Sequence, residues 1–484
     1  MSAADALSAA AAARPAQSGG LLRRVAGYSA MRGSAEVLLG LRGILLATLL
    51  GPAAFGSWAL LRLATRYAAL AGVGIFRGLE VELLQASDDR AHRSRASGAA
   101  LGFMLAVSGA LTVVALVASA LVESSTHRLI LQGFAAAVVA EAAYAYALVV
   151  TRVGATLRRY ALLETGTAAL HLLLGVALAR AFGLAGAFAA LALSSGLGAV
   201  VAARWMEMRP LFDATAVRGM LATGFPVAVT GVVGTLLQTA DRWVVAAWGG
   251  QELLGYYAFG AALASAGAAL ALSVRTVVFT EVYGEAKLSG AATALQRHLE
   301  RSLLPFATLV PPVLGAIGAV IGPAVTLVAP QYTAAIGPAR LFLLSGAAMG
   351  LVNLAAVGAV AARRQTLLPA YAAGGLAVNF GLATLALAAG LGLEGAAAAS
   401  LTGYLVFAAA VLRLNAKLSG ILEPERLVAR ALRPIVWCAV AVVVAGHAAA
   451  GLGEDAAAVV IYVLLMLPLV PRYRGEWRRL KGER

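Results

Sequence analysis

The chain has 484 residues, 61% of them hydrophobic and 13% charged, with a mean hydropathy of +0.85. A soluble domain carries about 25% charged residues, so this composition excludes an ordinary soluble enzyme. The net charge of +15 would suit a nucleic-acid binder, but the cations sit in breaks between apolar runs, which is the pattern of membrane topology.

The first residues, MSAADALSAAAAARPAQSGG, have no basic start followed by an apolar core, so they are not a signal peptide. Residues 1–22 read as a disordered cytoplasmic tail. Apolar runs long enough to span a bilayer follow, with no β-barrel alternation. In chain order they are 28–50, 54–76, 98–121, 129–151, 161–180, 184–204, 224–248, 254–278, 303–325, 339–361, 367–390, 395–414, 434–451 and 456–471. The last is short and ends in the basic segment 472–484. The fold class is therefore an all-α polytopic membrane protein of about 14 transmembrane helices. Residues 281–301 have the composition of an amphipathic surface helix. The single cysteine, Cys438, permits no disulfide within the chain.

Spans 1–2, 3–4, 5–6, 7–8, 11–12 and 13–14 are joined by short, nearly uncharged loops such as GPAAF (51–55) and GGQELLG (249–255). The alternate connections carry the arginines. Of the 38 lysines and arginines, about 30 fall on one side and about three, Arg128, Arg180 and Arg340, on the other. The positive-inside rule then places both termini in the cytoplasm. No outer loop is long enough for a catalytic domain. There is no metal-ligand cluster, phosphate-cradling loop or nucleophile elbow, so no enzyme activity, cofactor or direct use of ATP is expected.

At an offset of 199 residues, LRGILLATLLGPAAFGSWAL (41–60) lies over ADRWVVAAWGGQELLGYYAF (240–259) without a gap. Gly51 meets Gly250, Gly56 meets Gly255, and Trp58 meets Tyr257. Arg42 meets Asp241. An even number of spans separates the copies, so the repeats are parallel, related by an axis along the membrane normal. The expected organisation is an N-terminal lobe (23–210, helices 1–6), a C-terminal lobe (219–415, helices 7–12) and two trailing helices (433–471). Lobes of this kind imply alternating access about a central cavity.

The stretch GFPVAVTGVVGTLLQTADRWVVAAWGGQELLGYYAFGAALA (224–264), with Gly224, Pro226, Asp241–Arg242, Gly250, Gly255 and Tyr256, resembles the seventh and eighth helices of Wzx-type polysaccharide (O-antigen) flippases. LGPAAFGSWALLRLATRYAALAGVGI (50–75) resembles that family's opening pair. These flippases belong to the multidrug/oligosaccharidyl-lipid/polysaccharide exporter superfamily. The resemblance implies movement of an undecaprenyl-pyrophosphate-linked oligosaccharide from the inner to the outer leaflet of the bacterial inner membrane. The product would serve O-antigen, capsule or exopolysaccharide export. It also implies membrane lipids, a polysaccharide polymerase and other export machinery as partners. Two relatives are alternatives. A lipid II flippase also has fourteen spans and a cationic cavity, but GPAAFGSW does not match its characteristic loop after the first helix. A multidrug/cation antiporter usually has twelve spans and an acidic first helix, where this chain has Arg42.

Charges inside spans are functional by default. Arg42, Arg62 and Arg66 lie on neighbouring helices 1 and 2. Arg62 and Arg66 are four apart and stack like charges on one face, which is unfavourable without an anion opposite. A pyrophosphate supplies that anion, and arginine binds phosphate oxygens bidentately. With Arg242 and Arg275 they form the expected substrate-binding set. Asp241, Glu36, Glu141 and Arg32 are the expected gating or ion-coupling groups, with Arg32 and Glu36 spaced to pair and Arg42 a partner for Asp241 across the lobes. Asn353, Asn379, Gln238 and Tyr144 suit polar contacts between helices.

Overall fold

The computed structural model describes the backbone of residues 18–480 except 73, 86–88, 155, 207–208, 290 and 453–456; side chains are described for the same residues except 18–32, 157, 226–227, 230, 265–291, 294, 450–452, 472, 476–477 and 479–480. The expected disordered tail thus falls outside the described residues up to 17. From Ser18 the backbone is helical, so the first helix starts ten residues ahead of the expected 28.

Among the described residues every regular element is a helix. In chain order they are α1 (Ser18–Leu70), α2 (Ile75–Gln85), α3 (Arg90–Leu121), α4 (Ser125–Gly154), α5 (Leu157–Met206), α6 (Ala214–Ser289), α7 (Ala291–His298), α8 (Leu304–Val328), α9 (Ile336–Ala361), α10 (Leu368–Ala388), α11 (Gly392–Leu418), α12 (Pro424–Leu452), α13 (Ala457–Met466) and α14 (Val470–Leu480). A short π-helical stretch, Leu299–Leu303, joins α7 to α8.

Three of these runs are too long to be straight. The 53 residues of α1 would reach about 80 Å at 1.5 Å per residue, against a hydrocarbon core of about 30 Å. Each long run breaks at one glycine with positive φ: Gly51 (73°) in α1, Gly183 (58°) in α5 and Gly250 (68°) in α6. An L-residue with a Cβ is disfavoured there. The chain reverses at these points. In α1, Arg42 and Trp58 are sixteen residues apart yet in contact; a straight helix would separate them by about 24 Å. Asp241 and Tyr257 in α6 do the same. The expected loops 51–55 and 249–255 are therefore single-residue turns. Helix resumes at once, with Pro52 pre-set for the first turn of the second arm. Gly51 and Gly250 are the pair matched by the internal repeat, so the repeat extends to backbone conformation.

Nine described helices are long and apolar enough to cross a membrane, and two of them, Gly33–Leu70 and Arg158–Met206, contain a reversal. With the two arms of α6 and the shorter apolar helix at Ala457–Leu469, the series reaches the expected fourteen. The α-helical part of the last, α13, has only ten residues, half of what a spanning helix needs. Large apolar side chains face outward in helical spacing, as at Val436, Val440 and Val444 on α12, which suits lipid and not water.

By packing, the chain divides into two units. Unit 1 takes the described residues to Leu50 and Ser57–Val232; unit 2 takes Gly51–Gly56 and Val233 onward. In unit 1, α2, α3, α4 and the start of α6 share a core of Ile75, Leu79, Met104, Tyr146 and Met220. Close backbone approach is allowed by glycine: a Cβ on Gly74 would strike Gly224, and one on Gly78 would strike Met220. The Leu211 amide donates to the Gly98 carbonyl (2.9 Å). Arg95 pairs with Asp213 beside it, and this guanidinium holds the Asp213 carboxyl below its usual range.

In unit 2, α10 and α11 meet at Gly375 and Gly403, whose backbones leave no room for a side chain. The Asn415 amide donates from α11 to the Ala355 carbonyl on α9 (2.8 Å). Residues 52–56 pack on 251–255, where a Cβ on Gly56 or Gly255 would collide with the opposite backbone. The buried Tyr462 of α13 donates to the Pro312 carbonyl on α8 (3.0 Å). Arg340, expected on the outer side at the start of the span 339–361, is buried in the first turns of α9. Its Nε donates to the Gly318 carbonyl (3.3 Å), and Gly446 makes room for its guanidinium.

The reversals give a test with opposite signs. Gly250 has open space around its Cα, so Gly250→Ala strains only the backbone and should destabilise by about 1–3 kcal/mol. Gly234 lies in helical backbone with equal space, so Gly234→Ala should stabilise by up to about 1 kcal/mol. Thermal unfolding of the purified variants, compared with the parent, reads both shifts.

Candidate functional site

Two buried polar clusters stand out, one inside each unit. In unit 1 the reversal at Gly51 brings the second arm of α1 against the first. Arg42, 8% exposed, lays its guanidinium over the Trp58 ring, 5.4 Å from the centroid. Its Nε has no hydrogen-bond partner, so the aromatic face is its main compensation. Trp58 is held in turn by Phe188 on the second arm of α5, with centroids 6.2 Å apart and an interplanar angle of 21°. The arginine stem runs beside Gly175 on the first arm of α5, where a Cβ would make ordinary contact with it at 3.5 Å.

One turn beyond Trp58, Arg62 donates to Glu141 on α4 (3.0 Å). The other Glu141 oxygen accepts from Ser195 on α5. The Ser195 hydroxyl also lies 3.4 Å from His171 Nε2. Arg42 is close enough to feel both Arg62 and Glu141. The cluster thus holds two guanidiniums and one carboxylate, an excess of positive charge. Arg66, one turn further along α1, is exposed. Small residues make the packing possible: a Cβ on Gly198 would strike Thr167 and the Tyr144 ring.

In unit 2 the reversal at Gly250 does the same for α6. Asp241, 3% exposed, accepts hydrogen bonds from the Tyr257 hydroxyl (2.8 Å) and the Ser400 hydroxyl on α11 (2.6 Å). Its other oxygen accepts from the Arg242 backbone amide (2.9 Å). Asn379 Oδ1 on α10 is 3.3 Å from the same serine oxygen. The Asn379 amide is anchored on the Leu237 carbonyl (3.1 Å). No cationic side chain pairs with Asp241 among the described residues of its unit; its charge is met by neutral donors. Arg242 is half-buried beside it, and its Nε has no hydrogen-bond partner.

The clusters correspond through the repeat. Arg42 on Trp58 and Asp241 on Tyr257 are the same two positions, each offset by 199 residues. Each cluster also includes a serine, Ser195 of α5 on Glu141 and Ser400 of α11 on Asp241. One frame therefore carries a cation in the first copy and an anion in the second.

Of the expected site residues, the structure brings Arg42, Arg62 and Glu141 together. Asp241 and Arg242 lie in the other unit. Glu36 is exposed on the first arm of α1. The side chains of Arg32 and Arg275 lie outside the described residues, so the Arg32–Glu36 pair does too. Sequence reasoning does not single out His171, Ser195 or Ser400. Trp58 and Tyr257 are signalled only as a matched aromatic pair in the repeat.

Residues 45–335 match the family described as polysaccharide biosynthesis protein. Comparison with curated proteins gives no match. Among solved structures, the chain is similar to the lipid II flippase MurJ in an inward closed conformation, at 13% identity and TM-score 0.72, covering 93% of this chain and 99% of that one. It is similar to an inward-facing multidrug resistance MATE family transporter of the MOP superfamily, at 13% identity and TM-score 0.66, covering 82% and 96%. A third likeness is to a MOP superfamily transporter from Pyrococcus furiosus described as having a binding pocket of reversed polarity, at 17% identity and TM-score 0.52, covering 84% and 95%. At these identities the likeness establishes a shared fold.

The unit 1 cluster predicts an ordering of stabilities. Glu141→Ala removes the carboxylate that pairs with Arg62 and that Arg42 feels, and should destabilise by about 1–3 kcal/mol. The double variant Glu141→Ala/Arg62→Ala removes one of those stranded charges and should unfold at a higher temperature than Glu141→Ala alone. A double-mutant cycle read by thermal unfolding in detergent checks this.

Proposed function

The chain belongs to the polysaccharide biosynthesis protein family, and we propose that within it this protein is a flippase. Its cargo is an undecaprenyl-pyrophosphate-linked oligosaccharide, moved from the inner to the outer leaflet of the bacterial inner membrane by alternating access. Both termini face the cytoplasm in this reading. The observation that carries it is the excess of guanidinium over carboxylate in the unit 1 cluster, well inside a membrane-spanning bundle. A bundle that only needed to fold would not retain it, because uncompensated charge is costly there. A pyrophosphate is the complementary anion, and it arrives with the cargo.

The residues divide the work as follows. Arg62 and Arg66 grip the pyrophosphate oxygens, with Glu141 holding the Arg62 fork in place between cargoes. Arg42 adds a fixed positive field from its seat on Trp58. Arg242 and Arg275 attract the headgroup along its route. Asp241, ringed by Tyr257, Ser400 and Asn379 oxygens, is the group suited to take up a proton or a sodium ion. Glu36 and Arg32 act as a gating pair.

The test is a leaflet-resolved flipping assay in proteoliposomes, offering undecaprenyl-pyrophosphate-linked oligosaccharide and lipid II in parallel. Arg62→Ala and Arg66→Ala should each lower flipping of the oligosaccharide lipid by about tenfold or more, with membrane levels near normal. Lysine at either site should retain part of the activity, since it keeps charge but loses the fork. Disappearance of the variants from the membrane would assign these arginines to folding. Preference for lipid II would assign the cargo to cell-wall synthesis.

A matching prediction concerns coupling. Asp241→Asn preserves size but removes the charge and turns one accepting oxygen into a donor. Flipping by this variant should no longer respond to an imposed proton or sodium gradient. A response equal to that of the parent protein would remove Asp241 from the coupling step.

A further inference from the structure

Unit 2 carries a basic helix whose placement is not foretold by the sequence. Segment 472–484 reads as a tail leaving the membrane, yet α14 (Val470–Leu480) folds back onto the bundle. The bend is a 3-10 turn, Leu467–Leu469, with Pro468 inside it and Pro471 in the first turn of α14. Proline fits the first turn of a helix and breaks one already running. Beyond the bend, the half-buried Tyr473 is close enough to act on both the Cys438 thiol of α12 and the Tyr462 hydroxyl of α13. Eleven residues would separate these two tyrosines by about 16 Å along a straight helix, so the chain turns between them. α14 also packs on α8.

This contact fixes the level of α14. Trp437 Nε1 donates to the Leu465 carbonyl (3.0 Å), and the Cys438 thiol lies 3.8 Å from the Met466 sulfur. The end of α13 is thus level with Cys438. That cysteine is four residues inside the apolar span 434–451, about 6 Å at 1.5 Å per residue. α14 therefore lies where the bundle passes from hydrocarbon to headgroups.

Its sequence suits that level. Val470, Tyr473, Trp477 and Leu480 follow one another at spacings of three and four, which is one side of a helix. Tyr473 sets that side toward the bundle. Arg474 and Arg478, one turn apart, are exposed. From Arg472 to Arg484 six cations stand against two carboxylates, a net of +4. That excess counts every carboxylate of the segment, so it holds even if both are paired within it. An apolar stripe with tyrosine and tryptophan on an otherwise basic helix is the composition of an interfacial helix. Cations at that level attract anionic lipids.

We propose that α14 is a docking surface for the headgroups of anionic membrane lipids, which hold the trailing helices at the membrane face. The proposal stands whatever the cargo, because no residue of the Arg42–Arg62 or Asp241 cluster takes part.

The test places the full-length protein in nanodiscs of phosphatidylcholine, alone or mixed with phosphatidylglycerol. Chymotrypsin cuts after aromatic residues, so Tyr473 and Trp477 remain its targets when arginines are changed. Mass spectrometry follows release of the segment beyond them. Cleavage should be slower by about tenfold or more with phosphatidylglycerol, and high salt should shrink the difference. Arg474→Gln/Arg478→Gln should restore most of the cleavage with phosphatidylglycerol and leave the rate in phosphatidylcholine unchanged. Arg128→Gln, in unit 1, should alter neither rate. Equal cleavage in the two lipids would leave α14 held by its packing alone and overturn the proposal. Protection untouched by the double variant would do the same. Protection by added polyglutamate but not by phosphatidylglycerol would assign the surface to an acidic protein and overturn the lipid assignment.

Discussion

A charge inside a membrane-spanning bundle must be met by the protein itself, because hydrocarbon supplies no counter-ion and no hydrogen bond. Each unit of this protein is arranged around one such charge. Arg42 is met by the face of Trp58, and Asp241 by the hydroxyls of Tyr257 and Ser400. In both cases an aromatic contact comes from the helix arm immediately after the charge. That contact exists only because the chain reverses at a single residue, Gly51 or Gly250. The positive φ at those glycines is thus tied to the electrostatics several turns away. A longer, looser loop would let the two arms slide in register and separate each charge from its aromatic.

The two copies keep the frame and change its chemistry. Position-equivalent residues are arginine and aspartate, tryptophan and tyrosine. The aromatic changes with the charge. Tryptophan offers the best face for a cation, and tyrosine offers a donor hydroxyl to a carboxylate. The supporting partners follow the same logic. Around Arg42 stand Trp58 and, through Arg62, the acceptor Glu141; around Asp241 stand donors. Each copy is consistent with its own charge, which speaks against chance placement of either residue.

Much of this is legible in the sequence. The span number and the repeat follow from hydropathy and from a gap-free match anchored by two glycines and an aromatic. That Arg42 and Arg62 share a neighbourhood follows from their similar distance to the turn at Gly51. What stays hidden depends on helix rotation and long-range packing. Ser195 and Ser400 are ordinary small residues in helices crowded with alanine, and nothing in their sequence neighbourhood marks them as ligands of a carboxylate. His171 sits on an apolar arm with no carboxylate or second histidine three or four residues away; its neighbour Ser195 is 24 residues on. Arg340 reads only as an outer-side charge at the start of a span; its accommodation by Gly446 from α12 and the Gly318 carbonyl from α8 depends on packing that sequence does not show. Reversals at one residue also read as loops, since sequence shows a glycine but not that helix resumes on both sides of it.

The opposite signs of the two clusters bear on how a flippase of this design would work. An anionic headgroup and a coupling cation are attracted to each other in solution and would compete with the protein if one pocket served both. In the proposed function, repeat-related positions in the two units would give each a site of the right sign with its own hydrogen-bond set. Arg62 has an internal carboxylate, Glu141, to hold it when no phosphate is present. Asp241 has two hydroxyls that satisfy it when no cation is present. Under the proposed function, a ligand entering either cluster would compete with a partner already in place, Glu141 on Arg62 or the two hydroxyls on Asp241, and its binding would rearrange the packing between helix arms. A carrier that binds its cargo and still releases it needs this kind of affinity, offset by an internal bond that re-forms on release.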